Sequence, residues 1–224
     1  MMLKQSLLAV AIAIAPMSAF AAGSLDVFYI DQDMEVQGGG NDDGDGIGFR
    51  GLAELGKGVS LTALYQDADL DTANANLRET RIGLRYDTLC HNIKVGGSLE
   101  NVSVDLNNSG TGLSMRGYSA SAHASISPID NISLSARVGY TDLDELAGME
   151  YEIGAQYAIN KQVAAFVEYR MGDLDDEGSG FGDVDLDTAL GIAFNAGAVF
   201  VALTGGIQAI EHFAQGSAHK VLRQ

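Results

Sequence analysis

Charged side chains recur at every second position in several segments of this chain, and they are the groups from which chemistry is to be expected. In residues 149–159, Glu150 and Glu152 alternate with Tyr151 and Ile153. A β-strand turns successive side chains to opposite faces, so this segment has one apolar face and one charged or small face. Opposite charges on an enclosed face are expected to pair, because an unpaired buried charge is costly. The predicted cluster comprises Arg50, Glu54, Glu79, Arg81, Arg85, Lys94, Glu100, Arg137, Glu150, Glu152, Glu168 and Arg170.

A second group of interest is acidic. Asp42, Asp43 and Asp45 stand in an Asn-Asp-Asp-Gly-Asp-Gly segment that partly matches a calcium-binding loop. Leu52 occupies the position where such a loop needs a bidentate Glu, so the segment is not an EF-hand. Carboxylate oxygens suit Ca²⁺ and Mg²⁺. The segment is predicted to be a weak cation-binding loop, and a solvated, self-repelling loop is the alternative.

His123 and Ser125 are two residues apart and would share a strand face. A serine nucleophile needs a base within hydrogen-bond reach and an orienting acid, but this pair is predicted to face the inside of the fold. The other histidines are too scattered for a zinc site. The single cysteine, Cys90, allows no intrachain disulfide. The sequence therefore predicts no enzyme, no catalytic residue, no confident metal site and no cofactor.

The N-terminus has the pattern of an export signal. Lys4 supplies a positive charge, residues 7–15 form a short apolar core, and Ala19-Phe20-Ala21 matches a cleavage site. A signal peptide is predicted over residues 1–21, and an uncleaved anchor is disfavoured because the apolar core is too short to span a membrane. The net charge of −17 argues against nucleic-acid binding, because an acidic protein repels phosphate.

The mature chain reads as a ladder of strands with alternating polarity. Several segments are about as long as a tilted strand that crosses a bilayer, roughly 9–11 residues. The pattern predicts about ten strands, and a range of roughly 8–12 is compatible with it. The predicted strands are 25–36, 47–55, 59–66, 77–87, 92–106, 113–127, 131–141, 149–159, 163–172 and 184–195.

Short and long connections alternate strictly between these strands. Outer-membrane barrels have short periplasmic turns and longer outer loops, and an even strand number leaves both termini in the periplasm. The sequence therefore predicts an all-β, antiparallel, up-and-down transmembrane β-barrel with acidic outer loops. The predicted loops are 37–46, 67–76, 107–112, 142–148 and 173–183.

The placement of tyrosines favours lipid contact over a soluble core. An apolar stripe would be the core of a soluble periplasmic barrel but the outer surface of a membrane barrel. Tyrosine suits the membrane interface, because its ring is apolar and its hydroxyl prefers water. The predicted interface residues have the apolar parity and lie mostly near strand ends: Tyr86, Tyr140, Tyr151, Tyr157 and Tyr169.

The chain resembles the small outer-membrane β-barrel superfamily, which contains the opacity-type surface proteins and the barrel of outer-membrane protein A. The resemblance covers roughly residues 22–195 and rests on the export signal, the strand ladder and the segments 151–157 (Tyr-Glu-Ile-Gly-Ala-Gln-Tyr) and 166–170 (Phe-Val-Glu-Tyr-Arg). It implies the fold and a location in the outer membrane. These patterns are generic, so no functional residue carries over.

The C-terminal segment departs from that family. Such barrels usually end on an aromatic residue of the last strand, and Phe194 stands at that place, yet the chain continues to Gln224. Residues 22–195 are therefore assigned to the barrel and 196–224 to a C-terminal extension of uncertain structure. An extra strand pair within 196–210 and a product of a shifted reading frame are the alternatives.

The leading functional expectation is a non-enzymatic surface protein of the Gram-negative envelope. Ion pairs are expected to plug its lumen, and its acidic loops to face the medium. Expected partners are outer-membrane lipid, lipopolysaccharide and the barrel-assembly machinery, with divalent cations as a weaker expectation and no nucleic acid. A small diffusion channel with a charge-lined constriction is the first alternative. A soluble periplasmic binding protein is the second.

Overall fold

The computed structural model describes residues 23–36, 40–71, 75–108, 111–144, 146–176 and 188–195. The predicted signal peptide and C-terminal extension lie outside these residues. The described residues form ten strands: β1 (Gly23–Val36), β2 (Gly40–Gly56), β3 (Val59–Leu70), β4 (Ala75–Cys90), β5 (Ile93–Asn108), β6 (Thr111–Ile129), β7 (Ile132–Leu143), β8 (Leu146–Ala158), β9 (Val163–Asp176) and β10 (Thr188–Asn195).

The ten strands form one closed barrel. Each strand pairs antiparallel with its neighbours in the sequence, and β1 pairs with β10 to close the wall. In that closing pair, Leu25 lies opposite Phe194 and Tyr29 opposite Leu190. The prediction of an all-β, up-and-down barrel of about ten strands is therefore confirmed. Within the described part of the chain, no helix has the length and apolar character to cross a membrane.

The connections at one end of the barrel are tight turns. Gly56 and Gly58 have positive φ angles of 103° and 79° in the turn between β2 and β3, and Lys57 between them also lies in the left-handed region. Glycine adopts this region without steric cost. We call this the short-turn end; in outer-membrane barrels it faces the periplasm. The other end, which carries the longer connection 177–187, is the outer end.

The outer surface of the barrel is apolar around its middle. Along β4, Ile82, Leu84 and Tyr86 are exposed on the outer face. Arg81 lies on the inner face of the same strand and is buried in the lumen. All eight tyrosines of the chain point outward with at least a third of their surface exposed, as the two-residue period of a strand predicts. We call this part of the barrel, whose outward side chains are apolar or aromatic, the membrane zone.

The strands extend further than the sequence indicated, and this corrects the predicted loops. β6 has 19 residues and β2 has 17, whereas about 9–11 suffice to cross a bilayer. Most residues of the predicted loops 37–46, 67–76, 107–112 and 142–148 belong to strands. Of 173–183, residues 173–176 belong to β9. The predicted tenth strand, 184–195, is described as a strand only over 188–195.

These strand extensions form a region that we call the collar, in which the polarity of the two faces is reversed. The inward side chains of the collar on β3 to β9 are mostly apolar and pack in two clusters: Val102, Met115, Leu143, Leu146 and Leu174 with Val104 and Leu113, and Leu70, Ala75 and Leu77 with Val104 and Leu106. On β1 and β2 the buried side chains of the collar include the polar residues Gln32 and Asp42. Its outward side chains are mostly acidic or polar, among them Asp31, Asp33, Asp43, Asp45, Asp69, Asp71, Asn107, Arg116, Asp142 and Asp144.

Candidate functional site

The lumen of the membrane zone holds a network of ion pairs that spans the barrel. Arg81 on β4 reaches Glu150 on β8, and its Nη1 donates to Glu150 Oε2 at 2.8 Å while Nη2 donates to Oε1. Its Nε donates to Glu79 two residues away. These three side chains are almost fully buried. The bidentate geometry fixes both carboxylate oxygens, which makes it a strong form of charge-assisted hydrogen bond.

Glu79 also accepts hydrogen bonds from side chains on two other strands. Arg170 Nη2 on β9 donates to Glu79 Oε2 at 2.9 Å, and Gln66 Nε2 on β3 donates to the same oxygen at 2.6 Å. β4 and β9 lie on well-separated parts of the closed wall. The carboxylate of Glu79 thus joins two walls through its two arginine partners.

Arg137 on β7 lies among three carboxylates. Its Nη2 is 3.3 Å from Glu100 Oε2 and 3.7 Å from Glu150 Oε2, and its Nη1 is 3.5 Å from Glu152 Oε2. Thr62 Oγ1 also donates to Glu100 at 3.4 Å. These contacts are longer than the hydrogen bonds that Arg81 donates to Glu150, so Arg137 is shared among several carboxylates.

A second group of ion pairs centres on Arg50 of β2. Its Nη1 and Nη2 donate to the two oxygens of Glu168 on β9 at 2.9 and 2.8 Å, and its Nε donates to Asp26 on β1 at 2.7 Å. The guanidinium carbon also lies 5.4 Å from the centre of the Phe166 ring, within the range of a cation–π contact. Arg50 therefore links three strands on one side of the barrel.

A third group lies nearer the short-turn end, around Asp87. Arg85 Nε donates to Asp87 Oδ2 at 2.9 Å, Lys94 Nζ is 3.5 Å from the same oxygen, and His123 Nε2 is 2.6 Å from Oδ1. Lys94 is about half exposed, with 52% of its side chain accessible. The structure places His123 against this aspartate. Ser125, its predicted neighbour, lies opposite Lys94 and Ser135 in the strand register.

The structure brings most of the predicted cluster into these three groups. Glu54 is the exception, because it is exposed near the short-turn end of β2 and lies outside the ion pairs described above. Sequence reasoning missed Asp26 and Asp87. Asp87 shares its parity with Arg81 and Arg85, which is a signal that could have identified it. Asp26 could not be identified from the alternation of polarity, because the inward face of β1 also carries apolar side chains such as Phe28.

A small open space lies among the ion pairs. A cavity of about 80 Å³ lies between the Arg50 and Arg137 groups, and Thr62 and Gln66 also line it. A water molecule needs roughly 10–15 Å³ of such volume, so several waters fit there. The lumen of the membrane zone therefore contains a charge-lined cavity that is large enough for several water molecules.

The predicted cation-binding loop is corrected by the structure. Asp42, Asp43 and Asp45 lie within β2, not in a loop. Because successive side chains of a strand face opposite ways, Asp42 is buried while Asp43 and Asp45 are exposed. Among the residues that the structure describes, no group of three or more His, Cys, Asp or Glu side chains is arranged to hold a metal ion.

The five predicted interface tyrosines all point outward. Tyr86 and Tyr157 lie near strand ends that lead into short turns, and Tyr140 and Tyr151 lie nearer the outer ends of their strands. Tyr169 lies near the middle of β9. Further outward tyrosines that were not singled out from the sequence are Tyr29, Tyr65 and Tyr118.

Two outward carboxyl groups of the collar have shifted pKa values. A hydrogen bond with Asp43, aided by partial desolvation, raises the pKa of Asp33, because two neighbouring carboxylates are stabilised by a shared proton. Although partial burial opposes the change, hydrogen bonds from Asn76, Tyr65 and Arg78 lower the pKa of Asp67. The collar surface therefore contains one acidic pair in mutual repulsion and one well-compensated carboxylate.

A closed ten-stranded barrel with an apolar outer belt and a charged lumen is an outer-membrane β-barrel protein. A family model for Gram-negative porins matches residues 9–177. Because this match covers most of the chain, the chain belongs to the Gram-negative porin family. It is located in the outer membrane, as the sequence predicted, and the second alternative, a soluble periplasmic binding protein, was wrong.

Several solved structures are similar in fold to this chain. Neisserial surface protein A is 10% identical with a TM-score of 0.40, over 77% of this chain and 96% of that one. An outer-membrane channel from Pseudomonas putida F1 is 10% identical with a TM-score of 0.45, over 79% and 95%. An anion-selective porin from Comamonas acidovorans is 15% identical with a TM-score of 0.35, over 67% and 49%. No curated protein matches the chain.

Proposed function

We propose that this protein is a non-enzymatic surface protein of the outer membrane with a charge-filled lumen that does not conduct. The observation that carries the proposal is the set of ion pairs between distant strands: Arg81 with Glu150, and Arg170 with Glu79. Buried charges with such partners are held in place, because removing either partner would leave the other uncompensated. A lumen filled in this way presents no continuous water path.

The acidic collar is the part of the protein that faces the medium in this proposal. Its outward carboxylates, such as Asp31, Asp45 and Asp69, lie in register on β1, β2 and β3. They would meet cations, lipopolysaccharide head groups or a basic partner. Outer-membrane lipid surrounds the membrane zone, and the barrel-assembly machinery inserts it. His123 and Asp87 pair with each other and serve no reaction in this proposal.

The proposal is tested by the permeability of the full chain in lipid. The protein is refolded in detergent, its heat-dependent gel shift is checked, and it is reconstituted into liposomes and planar bilayers. Flotation of the liposomes with the protein establishes insertion. We expect no steady single-channel conductance and no uptake of small solutes above empty liposomes. A steady conductance from inserted, folded protein would overturn the proposal.

A small diffusion channel is the second candidate, and membership of the Gram-negative porin family supports it. The cavity between the Arg50 and Arg137 groups would then belong to a narrow constriction lined by both signs of charge. A steady conductance that changes its ion selectivity when Arg50 and Glu168 are both replaced by Gln would support this candidate.

A further inference from the structure

The outer surface of the membrane zone carries a mostly apolar groove on β3 to β6, toward the short-turn end. Its volume is about 650 Å³. Gly97 on β5 forms its floor, because this residue is turned outward like Leu99 but has no side chain. The strand register places Tyr86 on one side of Gly97 and Ala122 on the other. The outward residues that line the groove are Val59, Leu84, Tyr86, Gly97, Leu99 and Ala120.

The groove is built into the backbone of the wall. A Cβ atom at Gly97 would lie 2.9 Å from the carbonyl oxygen of Ser121 on β6, which is closer than real Cβ atoms approach. Ala120 and Ala122 continue the low surface along β6, whereas Leu84 and Leu99 are exposed large side chains at its border. A change of rotamer at Gly97 therefore cannot close the groove.

The lower end of the groove meets the turn between β2 and β3. A Cβ atom at Gly58 in that turn would lie 3.3 Å from the ring of Tyr86, so the ring reaches the turn. Lys57, the preceding residue of the turn, is exposed. Glu54 and Asp87, the acidic residues nearest to this turn in the sequence, have inward parity. On β3 to β6, no described outward position of the membrane zone below the collar carries a carboxylate.

The groove thus combines an apolar slot with a positive charge at its lower end. The short-turn end of such a barrel faces the periplasm, and phospholipids form that leaflet of the outer membrane. A phospholipid has the same arrangement, an acyl chain followed by a phosphate. Because lipid is as apolar as the wall, the hydrophobic effect does not select one lipid here. Packing in the groove and attraction between the phosphate and the cation do so.

We propose that this groove binds one anionic phospholipid of the periplasmic leaflet, with an acyl chain along Gly97 and the phosphate beside Lys57. Tyr86 suits the level between chain and head group, since its ring is apolar and its hydroxyl prefers water. A second copy of this chain fits less well, because a symmetric contact would set the same carboxylate-free face against Lys57. The proposal goes beyond the proposed function and concerns the outer wall, so it holds whether or not the lumen conducts.

Native mass spectrometry of the refolded full chain with phosphatidylglycerol tests the groove. Ala120→Phe fills the groove from one of its lining positions. Ala165→Phe is the matched control, because Ala165 lies opposite the exposed Tyr157 on a separate part of the wall. We expect the wild-type chain and the control to bind the first phosphatidylglycerol at least about tenfold more tightly than later ones, and Ala120→Phe to lose this difference. The heat-dependent gel shift verifies that each protein is folded.

Lys57→Gln tests the charge in an exposed turn, and it decides the question if Ala120→Phe does not fold. Lys161→Gln, in the short turn between β8 and β9, is its control. A lysine near a membrane surface strengthens the binding of anionic lipid about fivefold, so we expect Lys57→Gln to weaken the first site by that factor. The effect should shrink at high salt, because the charge is exposed. Lys161→Gln should leave the first site unchanged.

Three results would overturn the proposal. If the first phosphatidylglycerol binds no more tightly than later ones, the groove holds only the general lipid shell of the barrel. If Lys57→Gln has no effect, or if zwitterionic phosphatidylethanolamine binds equally well, the assignment of the head group falls. If the wild-type chain is a dimer that Ala120→Phe converts to a monomer, the occupant is a second copy. None of these results bears on the closed lumen of the proposed function, which the conductance measurement decides separately.

Discussion

The membrane zone and the collar are built from the same strands but turn opposite faces to the outside. On β4, the membrane zone directs Ile82 and Leu84 outward and Arg81 inward, whereas the collar directs Arg78 outward and Leu77 inward. Both regions obey the same two-residue alternation. The difference shows that alternation fixes two faces, and that the surrounding solvent decides which of them is apolar.

Different forces hold the two regions. In the collar, water outside the barrel drives apolar side chains inward, as it does in a soluble barrel. In the membrane zone, lipid is as apolar as the side chains that face it, so polar groups collect in the lumen and must satisfy one another. We therefore expect substitutions at equivalent positions to have unequal effects in the two regions.

The largest expected effect is in the lumen of the membrane zone. Arg81→Leu leaves Glu79 and Glu150 without their main partner in a buried layer, and breaking a buried pair in this way costs roughly 3–5 kcal/mol. The free energy of unfolding in urea, followed by the gel shift of the folded form, measures the loss.

The double variant Arg81→Leu with Glu150→Leu is the matched control for this prediction. It removes both charges of the cross-lumen pair, so we expect a smaller loss than for Arg81→Leu alone. If the double variant loses at least as much stability as Arg81→Leu alone, Glu150 is not a costly unpaired charge once Arg81 is removed, and the contrast between a charge-held lumen and an apolar collar core fails.

A smaller effect should locate the border between the two regions on the outer surface. Leu99 and Asp105 lie on the same strand and the same face, with Leu99 in the apolar belt and Asp105 in the collar. Leu99→Arg places a charge against lipid, at a cost of about 2–4 kcal/mol near the bilayer midplane, whereas a charge near the interface costs about 0–1 kcal/mol. Asp105→Arg should therefore be nearly neutral. Equal losses in urea unfolding would place both residues in one environment and remove the proposed border.

The strand ladder of the membrane zone could be predicted from sequence because its apolar and charged residues keep one parity over about 9–11 residues. The collar could not be recognised in the same way. In β5, Val104 and Leu106 have the parity of Glu100, so the apolar residues change face along one strand. Acidic residues such as Asp69 and Asp71 then made these segments resemble loops.

The partners within the charged cluster could not be predicted either. Parity places Arg81 and Glu150 on inward faces, but which side chains meet across a barrel depends on the tilt and stagger of all its strands. The sequence contains no local signal for that stagger. For the same reason, Arg137 could not be recognised as shared among Glu100, Glu150 and Glu152.

The smallest expected effect concerns the acidic outer surface of the collar and depends on pH. The hydrogen bond with Asp43 raises the pKa of Asp33, so the folded protein holds a proton there more tightly than the unfolded chain. Stability from this pair should therefore rise as pH falls through the raised pKa and be absent at neutral pH, where both carboxylates are charged and repel. Asp43→Asn should stabilise the collar at pH 7, and the gain should shrink as the pH falls through the raised pKa of Asp33.

Asp67 supplies a control of opposite sign for that pH dependence. Its pKa is lowered, because hydrogen bonds from Asn76, Tyr65 and Arg78 outweigh its partial burial, so its contribution is present at neutral pH and lost as pH falls through the lowered value. Asp67→Asn should destabilise the collar at pH 7, and the loss should shrink in acid. Urea unfolding of both variants at several pH values measures the two slopes. Slopes of the same sign would mean that the collar surface responds to its total charge, and that these two local arrangements do not control it.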